Sequence, residues 1–175
     1  MKIRFSPLVL IAALLVAAPG AGLPLAVSTA AAAAKGDARV QGVLAATDKG
    51  AARVIEITGN DQMKFSVAAI EAKAGEELKV IFTNVGTLPK EAMGHNWVLL
   101  KAGTDVNAFA TAGMTAKATD YIPASMKDKV IAHTPVLGPK GKAEVVFKAP
   151  APGTYTYICS FPGHYMIMRG TLTVK

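Results

Sequence analysis

The stretch Cys159-Ser-Phe-Pro-Gly-His164-Tyr-Met-Ile-Met168 constrains this chain more than any other. It carries the only cysteine of the 175 residues, followed five positions on by a histidine and four further on by a methionine, with a Pro162-Gly163 turn between them. Upstream, Ala151-Pro-Gly-Thr-Tyr-Thr-Tyr-Ile-Cys159 alternates β-branched and aromatic residues after a Pro-Gly break and reads as a strand. Downstream, Gly170-Thr-Leu-Thr-Val-Lys175 reads as another. A thiol, an imidazole and a thioether therefore share one tight loop between two strands.

The rest of the chain repeats that pattern of short strands broken by turn residues. Ala52 to Thr58 is apolar and β-branched, and Gly59-Asn60-Asp61 turns it. Further strands are expected over Lys64 to Val67, Ala68 to Ala72, Leu78 to Thr83, Asn96 to Leu100 and Lys142 to Lys148, the last alternating cleanly between polar and apolar faces. Short strands at regular spacing imply an all-β sandwich or barrel. No twenty- to fifty-residue period recurs, which excludes a solenoid or propeller. The exception is Thr104 to Lys129, whose alanine-rich start predicts a short helix capped by Thr104, lying outside the sheets as a flap without chemistry of its own. Trp97, on a strand, is assigned to the core.

Thiolate, thioether and imidazole donors suit copper, and a trigonal pair of histidines with one cysteine and a long axial methionine is an electron-transfer arrangement. A second histidine is required, and the chain offers His95 and His133. The setting of His95 favours it: Gly94 before it allows close backbone approach, and an apolar strand follows. Asn96 and the Phe161 amide are positioned in sequence to donate to the sulfur and tune it. His133 sits on a strand edge before a proline and reads as a surface or structural histidine. Met166 rivals Met168 as the thioether donor. Thiolate and imidazole also bind zinc, so a zinc module stays open at this level.

At these residues the chain resembles the azurins, within the wider cupredoxin group that includes the auracyanins. The resemblance runs from about Ile57 to Lys175, through Gly59-Asn-Asp-Gln-Met63, Leu88-Pro-Lys-Glu-Ala-Met-Gly-His-Asn-Trp-Val98, Val130-Ile-Ala-His-Thr134 and Cys159 to Met168. It implies a Greek-key β-sandwich or barrel of about eight strands over residues 51–175. It further implies one copper ion, with Cys159, His95 and His164 as equatorial ligands, Met168 rather than Met166 as the weak axial ligand, and the Gly94 carbonyl opposite. Met63, Leu88, Ala92, Met93 and Met166, beside Phe161, resemble an apolar surface through which partners approach. The partners implied are redox proteins such as c-type cytochromes or copper and haem reductases and oxidases, and the implied state is a monomer. Most azurins also carry a disulfide near the positions of Arg53 and Gly75; neither is cysteine here, which leans toward the auracyanins.

The start of the chain has the form of an export signal. Lys2 and Arg4 precede an unbroken apolar run from Leu8 to Ala18, too short for a membrane span, and small residues suitable for cleavage follow as far as Ala34, with a cut near Ala18 as the alternative. The expected organisation is a leader over 1–34, a flexible tail over 35–50 and the domain over 51–175, exported to the periplasm. One cysteine makes no internal bridge, and an exported lone thiol is an oxidation liability unless a metal occupies it. Net charge is +7, falling to +5 without Lys2 and Arg4, spread as scattered lysines rather than the concentrated stripe that nucleic-acid binding needs. The expected activity is one-electron carriage rather than enzymatic catalysis; a copper chaperone or storage protein is the alternative, distinguished by whether metal is retained through redox cycling.

Overall fold

The computed structural model describes residues 51–175; the leader expected over 1–34 and the tail over 35–50 lie outside the described residues. Eight strands follow one another: β1 (Arg53–Gly59), β2 (Ala69–Ala72), β3 (Glu77–Asn84), β4 (Val98–Leu100), β5 (Val130–His133), β6 (Lys142–Lys148), β7 (Gly153–Ile158) and β8 (Arg169–Val174). They form a three-stranded sheet ordered β1-β3-β6 and a five-stranded sheet ordered β2-β8-β7-β4-β5. β1 runs parallel to β3 and β2 parallel to β8, and the remaining pairs are antiparallel. The architecture is the expected sandwich, with two separate sheets rather than a closed barrel.

Period-two alternation decides which side chains meet between the sheets. Leu78, Val80 and Phe82 of β3 point inward, opposite Phe147, Val145 and Ala143 of β6. Ile70, Leu99, Tyr155, Tyr157, Leu172 and Val174 meet them from the five-stranded sheet, with Trp97 among them. Fully burying a valine, leucine, isoleucine or phenylalanine among them contributes about 1.5–3 kcal/mol. Trp97 lies 5.5 Å from the ring of Tyr157 and 5.8 Å from that of Phe147, the core position expected of it. Gly170 sits directly across from Tyr157, and a Cβ there would collide with the phenol ring, whose hydroxyl donates to the Val67 carbonyl at 2.7 Å.

Lys64 to Val67 is not a strand. Only Phe65 makes a bridge, to Gly59, because the Asn60 side chain takes the N–H groups of Gln62 and Lys64 into a turn and Ser66 pairs with Thr58. The expected helix is also shorter and differently capped. A one-turn α1 (Lys90–Met93) precedes it, and α2 spans Val106–Gly113 with Asp105 as its cap, Oδ1 accepting the Ala108 N–H at 3.0 Å. Thr104 instead donates its hydroxyl to the Lys101 carbonyl at 2.7 Å. Beyond α2 the flap continues in two 3-10 turns, Lys117–Thr119 and Ala124–Lys129.

The flap lies over the outer face of the five-stranded sheet, where Phe109 and Ile122 bury Val98, Leu100 and Ile158 in a second apolar cluster. β4 is thereby buried on both faces, which explains its unbroken Val-Leu-Leu sequence. Asp105→Ala should lower stability by about 1 kcal/mol through loss of the cap, read as a shifted denaturation midpoint with an unchanged slope. An unmoved midpoint would mean that α2 does not depend on its cap.

Where the resemblance implied a missing disulfide, an ion pair ties the strand instead. Arg53 Nε meets Glu76 Oε1 at 2.6 Å, and Arg53 Nη2 donates to the Glu71 carbonyl at 2.6 Å. The guanidinium, with the Lys73 N–H, holds the Glu76 carboxyl below the usual carboxylate range. Both partners are partly solvated, so this tie is weaker than a covalent bridge.

Candidate metal centre

The β7–β8 hairpin builds one side of the site. Its ladder continues past Ile158 and Arg169 to a 2.9 Å bond from the Cys159 N–H to the Met168 carbonyl, so cysteine and methionine face each other where the loop begins and ends. Between them Gly163 adopts φ +83°, a left-handed position open to glycine, and a 3-10 turn over His164–Met166 folds the loop back. The Met168 N–H donates to the His164 carbonyl at 2.8 Å.

The other side comes from a distant part of the chain. β4 pairs with β7, Val98 opposite Ile158, so the residues just before β4 lie beside those just after β7. His95 is fixed by two main-chain bonds with Leu137, at 3.1 and 2.7 Å. The Leu137 carbonyl also accepts the Asn84 side-chain amide at 3.0 Å. Gly94 is required before it, since a Cβ would lie 2.6 Å from Val136 Cγ1 and 2.7 Å from the Lys90 carbonyl.

The two sides bring three donor atoms together. His95 Nδ1 and His164 Nδ1 are 3.1 Å apart, and Cys159 Sγ lies 3.8 Å from the first and 3.6 Å from the second. A point equidistant from the three lies about 2 Å from each, close to the roughly 2.0–2.3 Å of nitrogen and thiolate bonds to an ion such as zinc. Cys159 and His95 are 0 % exposed and His164 is 4 % exposed, so His164 is the donor nearest the surface. Met168 is also fully buried, its terminal methyl near the Gly59 backbone.

The electrostatics suit a cation. Burial pushes the Cys159 thiol up to about 12, against the pull of the Asn96 and Phe161 main-chain N–H groups that face the sulfur. Burial, with His95 close by, pushes His164 down to about 4. Burial also lowers His95, opposed by the Asp61 carboxylate and the Asn60 carbonyl; its Nε2 nonetheless has no hydrogen-bond partner among the described residues. The pocket thus favours neutral imidazoles and resists a bare thiolate, which a bound metal cation would stabilise. A soft, mixed nitrogen and sulfur set of this kind fits copper.

Asn96 acts on the sulfur through its main chain, not its side chain. The side-chain amide donates to Ser160 Oγ at 2.9 Å and to the Asp120 carbonyl at 3.0 Å, while its oxygen accepts the Ser160 N–H at 2.9 Å. Ser160 and Asp120 thus take part in the site although sequence reasoning passed over both. Thr134 is another omission: it exchanges bonds with Trp97, accepting its N–H on Oγ1 and donating its own N–H to the Trp97 carbonyl, each at 3.0 Å. The flap, expected to lack chemistry, reaches the site a second way: the Tyr121 ring meets Phe161 at 5.2 Å, and Phe161 meets the His164 ring at 4.7 Å.

Other expected residues fall nearby or elsewhere. Leu88 and Ala92 are exposed, Met63 and Met93 half-buried, and Met166 is 61 % exposed, which removes it as a rival to Met168 for a buried position. His133 points outward from the edge strand β5 into a groove of about 420 Å³ shared with Ile122, Lys127 and Ile131, apart from the three-donor cluster.

Comparison with known proteins agrees with this geometry. Residues 51–175 match the family of copper binding proteins described as plastocyanin/azurin. The azurin of Pseudomonas denitrificans is 43% identical over 125 residues, spanning 69% of this chain and 97% of that protein. Azurin iso-2 of Methylomonas sp. (strain J) is 41% identical over 123 residues, spanning 68% of this chain and 95% of that protein. Among solved structures, auracyanin A, a "blue" copper protein of the green thermophilic photosynthetic bacterium Chloroflexus aurantiacus, aligns with a TM-score of 0.65 at 35% identity, covering 71% of this chain and 100% of that one.

Proposed function

This chain belongs to the plastocyanin/azurin family of copper-binding proteins, and on that premise we propose that it is a periplasmic carrier that passes single electrons between redox proteins at one blue copper site. His95, Cys159 and His164 would hold the ion, with Met168 and the Gly94 carbonyl as weaker donors. The observation that carries this reading is the convergence of one buried sulfur and two imidazole nitrogens within 3.8 Å of one another. Copper supplies the one-electron couple between Cu(I) and Cu(II). The chain supplies a fixed donor set, exclusion of water and two N–H groups directed at the sulfur, and it makes and breaks no substrate bond.

The electron's route to a partner runs through His164, the donor nearest the surface. Met63, Leu88, Ala92, Met93 and Met166, with Phe161 against the His164 ring, would make an apolar face of the kind that supports small, short-lived contacts. The partners are c-type cytochromes or copper and haem reductases and oxidases, reached after the leader is removed on export. Among the described residues no helix is long and apolar enough to cross a membrane.

The test is an absorption and electron paramagnetic resonance spectrum of the copper-loaded, oxidised protein. An intense visible band that reduction bleaches and reoxidation restores, with metal retained, supports a carrier; release of metal on reduction would support a chaperone. A charge on the apolar face gives a second check. Met93→Glu should slow exchange between oxidised and reduced copies about tenfold through like-charge repulsion across the contact, leaving the visible spectrum unchanged. An undiminished rate would remove Met93 from the contact surface.

A further inference from the structure

We propose that Asp120 is a positioning residue for the metal centre, holding the His95 and Cys159 loops in fixed relation from between the two 3-10 turns of the flap. The proposal rests on the copper reading above for its functional consequence, though not for its geometry.

Asp120 and Tyr121 are successive residues with left-handed backbone, φ +55° and +58°. Aspartate tolerates this region better than most side chains. In that conformation the Asp120 carbonyl accepts two bonds at 3.0 Å, one from the Asn96 side-chain amide and one from the Ser160 hydroxyl. Asn96 directly follows His95, and Ser160 directly follows Cys159. The carboxylate makes a third tie, accepting the Val136 N–H on Oδ1 at 2.8 Å. Val136 is the side chain packed against Gly94, immediately before His95. One residue outside both ligand loops therefore binds the neighbour of each and braces the segment behind one of them.

An aspartate in a surface turn ordinarily directs its oxygens to its own turn or to water. Here main chain and side chain both reach beyond the flap. Asn96 and Ser160 bond each other directly, so the loops would stay joined without Asp120, but once its left-handed backbone gives way the second bond of the Asn96 amide is lost and the Ser160 hydroxyl keeps only its longer, 3.3 Å contact to Asn96 Oδ1. The donor atoms would then be freer to change their spacing when the metal's charge changes, and such freedom slows electron transfer. Outer hydrogen-bond partners of metal ligands commonly matter at this level.

The experiment compares four variants, without metal and copper-loaded. Without metal, Asp120→Ala should speed amide hydrogen exchange at Val136 and Ser160 by about tenfold or more. Loaded with copper, it should alter the paramagnetic resonance signature and slow electron self-exchange about tenfold. Asp120→Asn keeps an acceptor oxygen and tolerance of the left-handed backbone, and should match the wild type throughout. Asp120→Gly keeps the backbone alone and should loosen Val136 but not Ser160. Asp105→Ala uncaps α2 in the same flap without touching either loop, and should speed exchange alike at all globally protected amides by no more than about fivefold, with no selective effect at Val136 and Ser160 and no change in the copper readouts. If Asp120→Ala behaves like Asp105→Ala, or Asp120→Asn behaves like Asp120→Ala, the proposal is overturned. A wild type without a blue spectrum would sink the copper reading, while the metal-free exchange pattern would still decide the clamp.

Discussion

Cys159→Ser should give a folded protein that never turns blue. The substitution is close to isosteric at a fully buried position, and the new hydroxyl has two imidazole nitrogens within reach for hydrogen bonding, so the fold should lose only about 1–2 kcal/mol. The chemistry should not survive. A serine hydroxyl is a hard donor that stays protonated at neutral pH, whereas the sulfur is the soft anionic member of the set and the source of the visible charge-transfer band. Copper affinity should fall by more than the roughly hundredfold seen for loss of an outer partner, because a direct donor is removed. Thermal melting, copper titration and the visible spectrum together make the measurement. His133→Ala is the counterpart, an exposed histidine on β5 whose removal should leave colour and affinity unchanged. A blue serine variant, or a colourless His133 variant, would contradict the donor set.

The two halves of this site differed in how far the sequence disclosed them. Cys159, His164 and Met168 lie on one hairpin loop, so their spacing alone announced a soft metal site. His95 becomes their neighbour only through the β4–β7 pairing, a non-local contact for which local pattern gives no register, and the resemblance to azurins, not the spacing, secured it. Asp120 was hidden for another reason: its carbonyl does much of the bonding, and every residue type has a carbonyl. What marks it is the unusual backbone that aims that carbonyl, which sequence hints at only through the aspartate. The helix cap shows the same limit at close range. Thr104 and Asp105 are both good caps, and only the three-dimensional path of the chain puts one of their oxygens on the Ala108 N–H. Lys64 to Val67 misled because its alternation was real, while the Asn60 side chain had already claimed the main-chain donors on which strand pairing there would depend.

Copper loading should raise the melting temperature by about 10–20 °C, and a chelator strong enough to strip the metal should reverse the gain without unfolding the protein. The gain follows from mass action: an ion that binds the folded chain and not the unfolded one adds about 4 kcal/mol when free metal exceeds its dissociation constant a thousandfold. For a domain of this size each kcal/mol is worth roughly 3–5 °C. The unfolded chain offers a lone thiol and scattered imidazoles, because His95 and Cys159 meet only when β4 and β7 pair, so its competing affinity should be low. That the metal-free protein stays folded follows from the independence of the core. The inter-sheet cluster of Ile57, Leu78, Val80, Phe82, Trp97, Leu99, Tyr157 and Leu172 is complete without an ion, unlike the small domains whose fold is their metal site. The buried donors are comfortable as a neutral thiol and neutral imidazoles, leaving no uncompensated charge when metal is absent. Calorimetry should therefore record one cooperative transition in each state, the metal-free one lower. A metal-free chain unfolded at 25 °C would make copper a structural requirement rather than a guest of a finished scaffold, and a melting temperature indifferent to copper would mean that the ion binds elsewhere.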